Sequence, residues 1–137
     1  MNCVRFKSGV TLNGLQPAGA RILSVLDRAA VFFQRDLTVT CGTDSHPADD
    51  PHTLGRAFDI RTRDLPQATI VTLIPWLQKS LGPDFTVLYE TPTKPVGFLA
   101  SLAFVNPSAT SEHCHIQVRK GYGEWPPAEA TTTTLHV

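Results

Sequence analysis

The chain has 137 residues, which fits one domain with its own hydrophobic core. Hydrophobic residues make up 42% and charged residues 18%, as in ordinary globular proteins, and twelve basic side chains balance twelve acidic ones. That balance argues against a general nucleic-acid or anionic-membrane binder, because no net field draws the chain to either. The three cysteines, Cys3, Cys41 and Cys114, are odd in number and lack C-x-x-C spacing, so reduced thiols are expected rather than a disulfide framework or a four-cysteine metal site. The start of the chain carries no apolar run of signal-peptide type, and no stretch approaches a membrane span of about 18 apolar residues. Synthesis in the cytoplasm is the expectation.

From Pro17 the pattern turns helical. Ile22, Leu26, Ala29, Ala30 and Phe33 share one helical face, and Pro17 suits a first turn because its missing N–H has no partner to lose there. Residues 37–41 alternate with period two and are β-branched, which predicts a strand. A polar loop covers 42–55, and a short strand 57–60. Asp64, Pro66 and Gln67 look like a helix start, with Ile70, Leu73, Ile74, Leu77 and Leu81 as the buried face. Pro75 removes one backbone hydrogen bond and predicts a kink or break. Gly82 and Pro83 stop that helix. Residues 85–90 and 115–119 read as strands. Between them, 91–111 reads as a hairpin, a short helix or a lid, its apolar run 96–105 flanked by prolines. Residues 1–125 are expected to form the domain and 126–137 a loosely attached tail. This order predicts an α+β fold, a mainly antiparallel sheet with helices packed on one face.

Four of the five histidines, His46, His52, His113 and His115, fall in or beside two short segments. The first reads His52-x-x-Gly55-x-Ala57-x-Asp59; the second reads Glu112-x-x-His115. Strand alternation puts Phe58 and Ile60 on one face and Asp59 on the other, and it sets Ile116 and Val118 against His115 and Gln117. If the two strands share a sheet, Asp59 and His115 project into one cleft, with His52 folding back over Gly55. Two imidazoles and a carboxylate match the donor preference of zinc, with a fourth position left for water, as in catalytic sites. A carboxylate nearby would act as general base, and Glu112 is the best placed of the few glutamates. Fully extended, residues 112–116 would put His113 and His115 on one face and turn Glu112 away. Two readings follow: His115 as ligand with Glu112 as base, or both histidines as ligands. Cys114, alternating with the histidines, is expected to face the core, which disfavours a cysteine–histidine nucleophile.

These two motifs resemble the zinc D-Ala-D-Ala carboxypeptidases and L-alanyl-D-glutamate endolysins, which share a fold with the hedgehog signalling domain. Residues 55–65 and the order of elements after them are similar to small phage and bacterial members, and the resemblance spans about residues 17–120. It implies a hedgehog/DD-peptidase-like fold, one Zn2+ per chain on His52, Asp59 and His115, and Glu112 as catalytic base. It also favours the first of the two readings above. The implied activity is hydrolysis of peptidoglycan stem peptides, at a D-Ala-D-Ala or an L-Ala-D-Glu bond, by a monomer without nucleic-acid or membrane partners. Release to the cell wall by a phage-type lysis route fits the start of the chain.

Two departures bear on the substrate. Asp50 stands where many members have Ser, and residues 41–46 lack the Arg that many use to stabilise the oxyanion. His46 is the candidate for that role, and His113 for a groove position that touches substrate. Two rivals remain at this level: a non-catalytic zinc-binding module of the same fold, and a zinc amidase with another substrate.

Overall fold

The computed structural model describes residues 2–42 and 56–119. Two helices and six strands carry the architecture: β1 (Val4–Phe6), α1 (Pro17–Phe33), β2 (Leu37–Cys41), β3 (Ala57–Arg61), α2 (Gln67–Leu81), β4 (Phe85–Thr91), β5 (Ala103–Val105) and β6 (His113–Val118). A short 3-10 helix, Gly97–Ala100, lies between β4 and β5. The six strands form one sheet in the order β1-β2-β3-β6-β4-β5. Its centre, β2-β3-β6-β4, is antiparallel throughout, while the outer pairs β1–β2 and β4–β5 are parallel. The α+β class is therefore observed, with a mixed sheet rather than a purely antiparallel one.

Period-two patterning decides which face of the sheet is covered. Val39, Phe58, Ile60, Phe85, Val87, Tyr89, Cys114, Ile116 and Val118 are buried on one face and join a single core cluster with both helices. α1 contributes Ala18, Ile22, Val25, Leu26, Ala29 and Ala30, and α2 contributes Ile70, Leu73, Ile74, Leu77 and Leu81. Burying a side chain such as Ile22 or Leu77 stabilises the fold by about 1.5–3 kcal/mol. α1 starts with Pro17 in its first turn, as its sequence predicts. Both helices thus pack on one face, leaving the other free to carry polar side chains.

Three expectations are refined. α2 runs through Pro75 without a break, and the carbonyl of Val71, which loses its partner to the proline, belongs to an exposed residue. The helix begins one residue after Pro66, and Asp64 makes no cap, since Pro66 itself stands at the N-cap position. Of the three readings of residues 91–111, the short helix is observed, as the 3-10 helix Gly97–Ala100, and the segment then crosses over to add β5 to the sheet edge beside β4, with Tyr89 paired to Ala103. β1 was also not legible: three residues are too few to show a period, and they are ordered by pairing Val4, Arg5 and Phe6 with β2. Asp36 fastens this edge by accepting from the Cys3 N–H at 2.9 Å and Arg5 Nε at 2.7 Å. The expected loop 42–55, apart from Gly42, and the expected tail 126–137 lie outside the described residues.

Among the described residues, no helix is long and apolar enough to cross a membrane.

Candidate functional site

On the uncovered face, sheet register arranges polar side chains in rows that run from β3 across β6 to β4. Asp59 lies opposite His115, which lies opposite Leu88. The next row is Arg61, His113 and Glu90, and the previous one is Ala57, Gln117 and Thr86. This placement follows from the pleat: on each strand these residues alternate with the buried apolar ones, so burying Phe58, Ile60, Cys114 and Ile116 forces Asp59, His113 and His115 to the other side.

His115 Nδ1 sits 2.8 Å from Asp59 Oδ1, and its Nε2 sits 2.7 Å from Gln117 Oε1. The Gln117 amide in turn donates to the Val118 carbonyl at 3.3 Å, which turns its oxygen toward the imidazole. Gln117 Oε1 and the Asp59 carboxylate are both acceptors, so Nε2 donates to the first and, in the imidazolium, Nδ1 donates to the second. Burial works against the imidazolium. The hydrogen bond and charge of Asp59, with help from Gln117 and Glu90, outweigh that cost and hold His115 above its ordinary range.

His113 shares the face, but both of its ring nitrogens are engaged elsewhere. Nδ1 faces the Ser111 carbonyl at 3.0 Å and Nε2 faces Glu90 Oε1 at 2.8 Å, with Asp59 Oδ1 farther off at 3.8 Å. This separates the two histidines: His115 turns a nitrogen to Asp59, while His113 is held by the β4 carboxylate. Glu112 immediately precedes β6, so strand alternation does not govern its direction. Its Oε2 accepts a 2.8 Å hydrogen bond from the hydroxyl of Tyr89, whose ring is buried in the core. Burial, then the hydrogen bond and charge of Glu112, push the Tyr89 phenol well above its usual range, so it stays a donor.

A cavity of about 320 Å3 opens over this end of the sheet. Asp59, Glu112 and His113 line it, together with Thr110 and Ser111 from the segment that follows β5. Lys7, Arg61 and Arg63 add positive charge, and Thr40 and Cys41 complete the wall. The register between β2 and β3 shifts between Val39 and Cys41, so that Val39 pairs with Ile60 while Cys41 pairs with Asp59. This bulge explains how Cys41 comes to line the cavity although Val39, two residues earlier, faces the core. His115 and Glu90 do not line the cavity; they stand behind Asp59 and His113 and orient them.

Whether zinc suits this place rests on the donor chemistry. Asp59 Oδ1 and His115 Nδ1 supply an oxygen and a nitrogen from two rigid neighbouring strands, as zinc prefers. These two atoms now share a 2.8 Å hydrogen bond, which would give way if both turned to a metal. Among the described residues, no group of three His, Cys, Asp or Glu side chains is arranged to hold a metal. The third expected ligand, His52, and the expected groove residue His46 lie outside the described residues. The described pair fits zinc in chemistry and needs a third donor.

Sequence reasoning missed three participants. Gln117 and Glu90 lie on the site face by simple alternation, but only the register shows that they reach the two histidines. Tyr89 belongs to the core by every sequence criterion, and its hydroxyl reaches the site only through Glu112. Cys114 is fully buried on the core face, where burial pushes its thiol far above the reactive range, so it is no nucleophile. Compared with family models, curated proteins and solved structures, the chain finds no match in any of the three.

Proposed function

We propose that this protein is a zinc-dependent peptidase of the hedgehog/DD-peptidase type acting on peptidoglycan stem peptides, with Glu112 as general base. The observation that carries the reading is the pairing of Asp59 with His115 across β3 and β6, 2.8 Å apart, beside a polar cavity that Glu112 also lines. The antiparallel centre β2-β3-β6-β4, with two helices on one face, is compatible with that fold. The ligands would be His52, Asp59 and His115. A zinc ion held there supplies Lewis acidity toward a carbonyl oxygen and toward water.

The chain's own groups do the rest. Gln117 Oε1 accepts from the Nε2–H of His115 and so fixes that nitrogen as a donor, which makes Nδ1, the nitrogen turned to Asp59, the one that would ligate zinc, the role that outer hydrogen bonds usually play for a ligating histidine. Tyr89 holds one oxygen of Glu112 and leaves the other for the proton of the attacking water. Glu112 then returns that proton to the leaving amine, so one carboxylate serves both halves of the hydrolysis. His113, clamped by Glu90 and Ser111, forms part of the wall against which the peptide lies.

The test is mass spectrometry of purified muropeptides after incubation with the protein, with and without a zinc chelator and with Glu112→Ala. Expected are new fragments that vanish with chelator and fall at least 100-fold in the variant; their masses name the bond. A protein that binds stoichiometric zinc yet cuts nothing would reject the peptidase and favour a recognition module. In parallel, His115→Ala is expected to abolish stoichiometric zinc in elemental analysis, and wild-type levels of metal in that variant would remove His115 from the ligand set.

A further inference from the structure

Three cations line the cavity from two separate places in the fold. Arg61 ends β3 and is half-buried, Arg63 follows two residues later, and Lys7 extends from the end of β1. Lys7 is not a loose terminal charge: its N–H donates to the Val39 carbonyl at 2.9 Å, and its own carbonyl accepts from Val10 at 3.1 Å. Among the described residues, none of the three makes an ion pair or a side-chain hydrogen bond. The carboxylates of the same cavity, by contrast, are already engaged, Asp59 by His115 and Glu112 by the Tyr89 hydroxyl. Convergent cations without an anionic partner, in a concave site, mark a place for a ligand's negative charge.

We propose that Arg61, assisted by Lys7 and Arg63, forms an anion subsite for the free α-carboxylate of the residue on the leaving side of the scissile bond. This rests on the peptidase reading above and goes beyond it by naming what the peptide must carry. The spacing supports it. Arg61 is two residues from Asp59 on the same face, which on a strand is about 6.6 Å along the chain. A carboxylate on the residue after the scissile bond lies about one Cα–Cα step, 3.8 Å, from the reacting carbonyl. An arginine side chain standing one register row from the reacting centre spans that difference. Its planar fork suits a carboxylate bidentately, while Lys7 and Arg63 act as point charges around it. A terminal D-Ala and a γ-linked D-Glu both present such a group, so the two expected bonds share this requirement.

The experiment compares each acid with its amide: a muropeptide with free against α-amidated D-Glu, and a D-Ala-D-Ala peptide with free against amidated C-terminus. Wild type is expected to prefer the acid by about 10- to 100-fold in kcat/KM for the bond it cuts, the range of a charge-assisted pair. Arg61→Gln is expected to bring that ratio close to one, acting mainly through KM, and the double variant Lys7→Gln/Arg63→Gln to lower it in part. The double variant changes exposed positions only and keeps the test open should Arg61→Gln fail to fold. Which substrate pair shows the preference names the source of the carboxylate. Equal rates for acid and amide in wild type, or a ratio unmoved by the variants, overturn the subsite. An independent arm titrates the protein with N-acetyl-D-alanine and with its amide, following the backbone amide signals of β3 by NMR, which wild type and variant share. Saturable binding of the acid alone, lost in Arg61→Gln, upholds the subsite even if no muropeptide is cut and the peptidase reading falls. No binding there and no cleavage would reject both.

Discussion

Tyr89→Phe isolates one hydrogen bond from everything else the tyrosine does. The ring is 1% exposed and packs in the core, and phenylalanine retains that packing. What is lost is the 2.8 Å bond to Glu112 Oε2. A hydrogen bond to a charged group contributes about 1.5–3 kcal/mol, and the half-buried Glu112 regains some water when the donor goes, so about 1 kcal/mol of stability should be lost. In a domain of this size that is a fall of about 3–5 °C in Tm. A double-mutant cycle with Glu112→Ala assigns the effect: the coupling between the two sites should be about 1 kcal/mol, with Tyr89→Phe costing little once Glu112 is gone. Thermal and urea unfolding of the four proteins measure it. Strict additivity, or an unchanged Tm in Tyr89→Phe, would mean that the tyrosine does not hold the glutamate, and the account of how Glu112 is aimed would fail.

The other expectations are simpler to read. Ile22→Ala empties a fully buried position between α1 and the sheet and should cost about 2–5 kcal/mol in urea unfolding; less than 1 would mean that α1 is not packed as described. Asp36, held below its ordinary value by the Cys3 N–H and by Arg5, adds stability that is present above its unfolded pKa and lost as pH falls through the folded one. Asp36→Asn should therefore destabilise near neutrality and converge with wild type in acid; a gap constant with pH would contradict this. Cys114 should resist alkylation under native conditions while Cys3 and Cys41 react, as peptide mapping would show.

How much could be read before the fold was known depended on whether a residue's role was local. Helical periodicity at Ile22, Leu26, Ala29 and Ala30 gave α1 from Pro17 to its last turn, because a helix satisfies its own backbone and displays its buried face in sequence. The alternation in β2, β3 and β4 was equally legible, as was the core-facing direction of Cys114. At Pro75 the helix continues without a break, since a single lost hydrogen bond at an exposed turn costs less than the burial of Leu73, Ile74, Leu77 and Leu81 gains. The assignment of β6 to 115–119 fell two residues short at its start: His113 and Cys114 have weak strand signals and are ordered by pairing with Arg61 and Ile60.

For the site, residue type and alternation put Asp59 and His115 on the polar face and left open whether Glu112 or His113 acts with them, and the family resemblance favoured Glu112. Tertiary structure decided what those residues touch. The pairing of Asp59 with His115 is a matter of register between strands 56 residues apart, and no local pattern encodes register across such a distance. The same holds for Tyr89 beneath Glu112, Glu90 against His113, and the meeting of Lys7 with Arg61 over one cavity. Local composition determined which side chains face the site, because burial of the alternating apolar partners leaves them no other side. Contact between distant strands, which depends on how the whole sheet closes over its core, determined which of them act together.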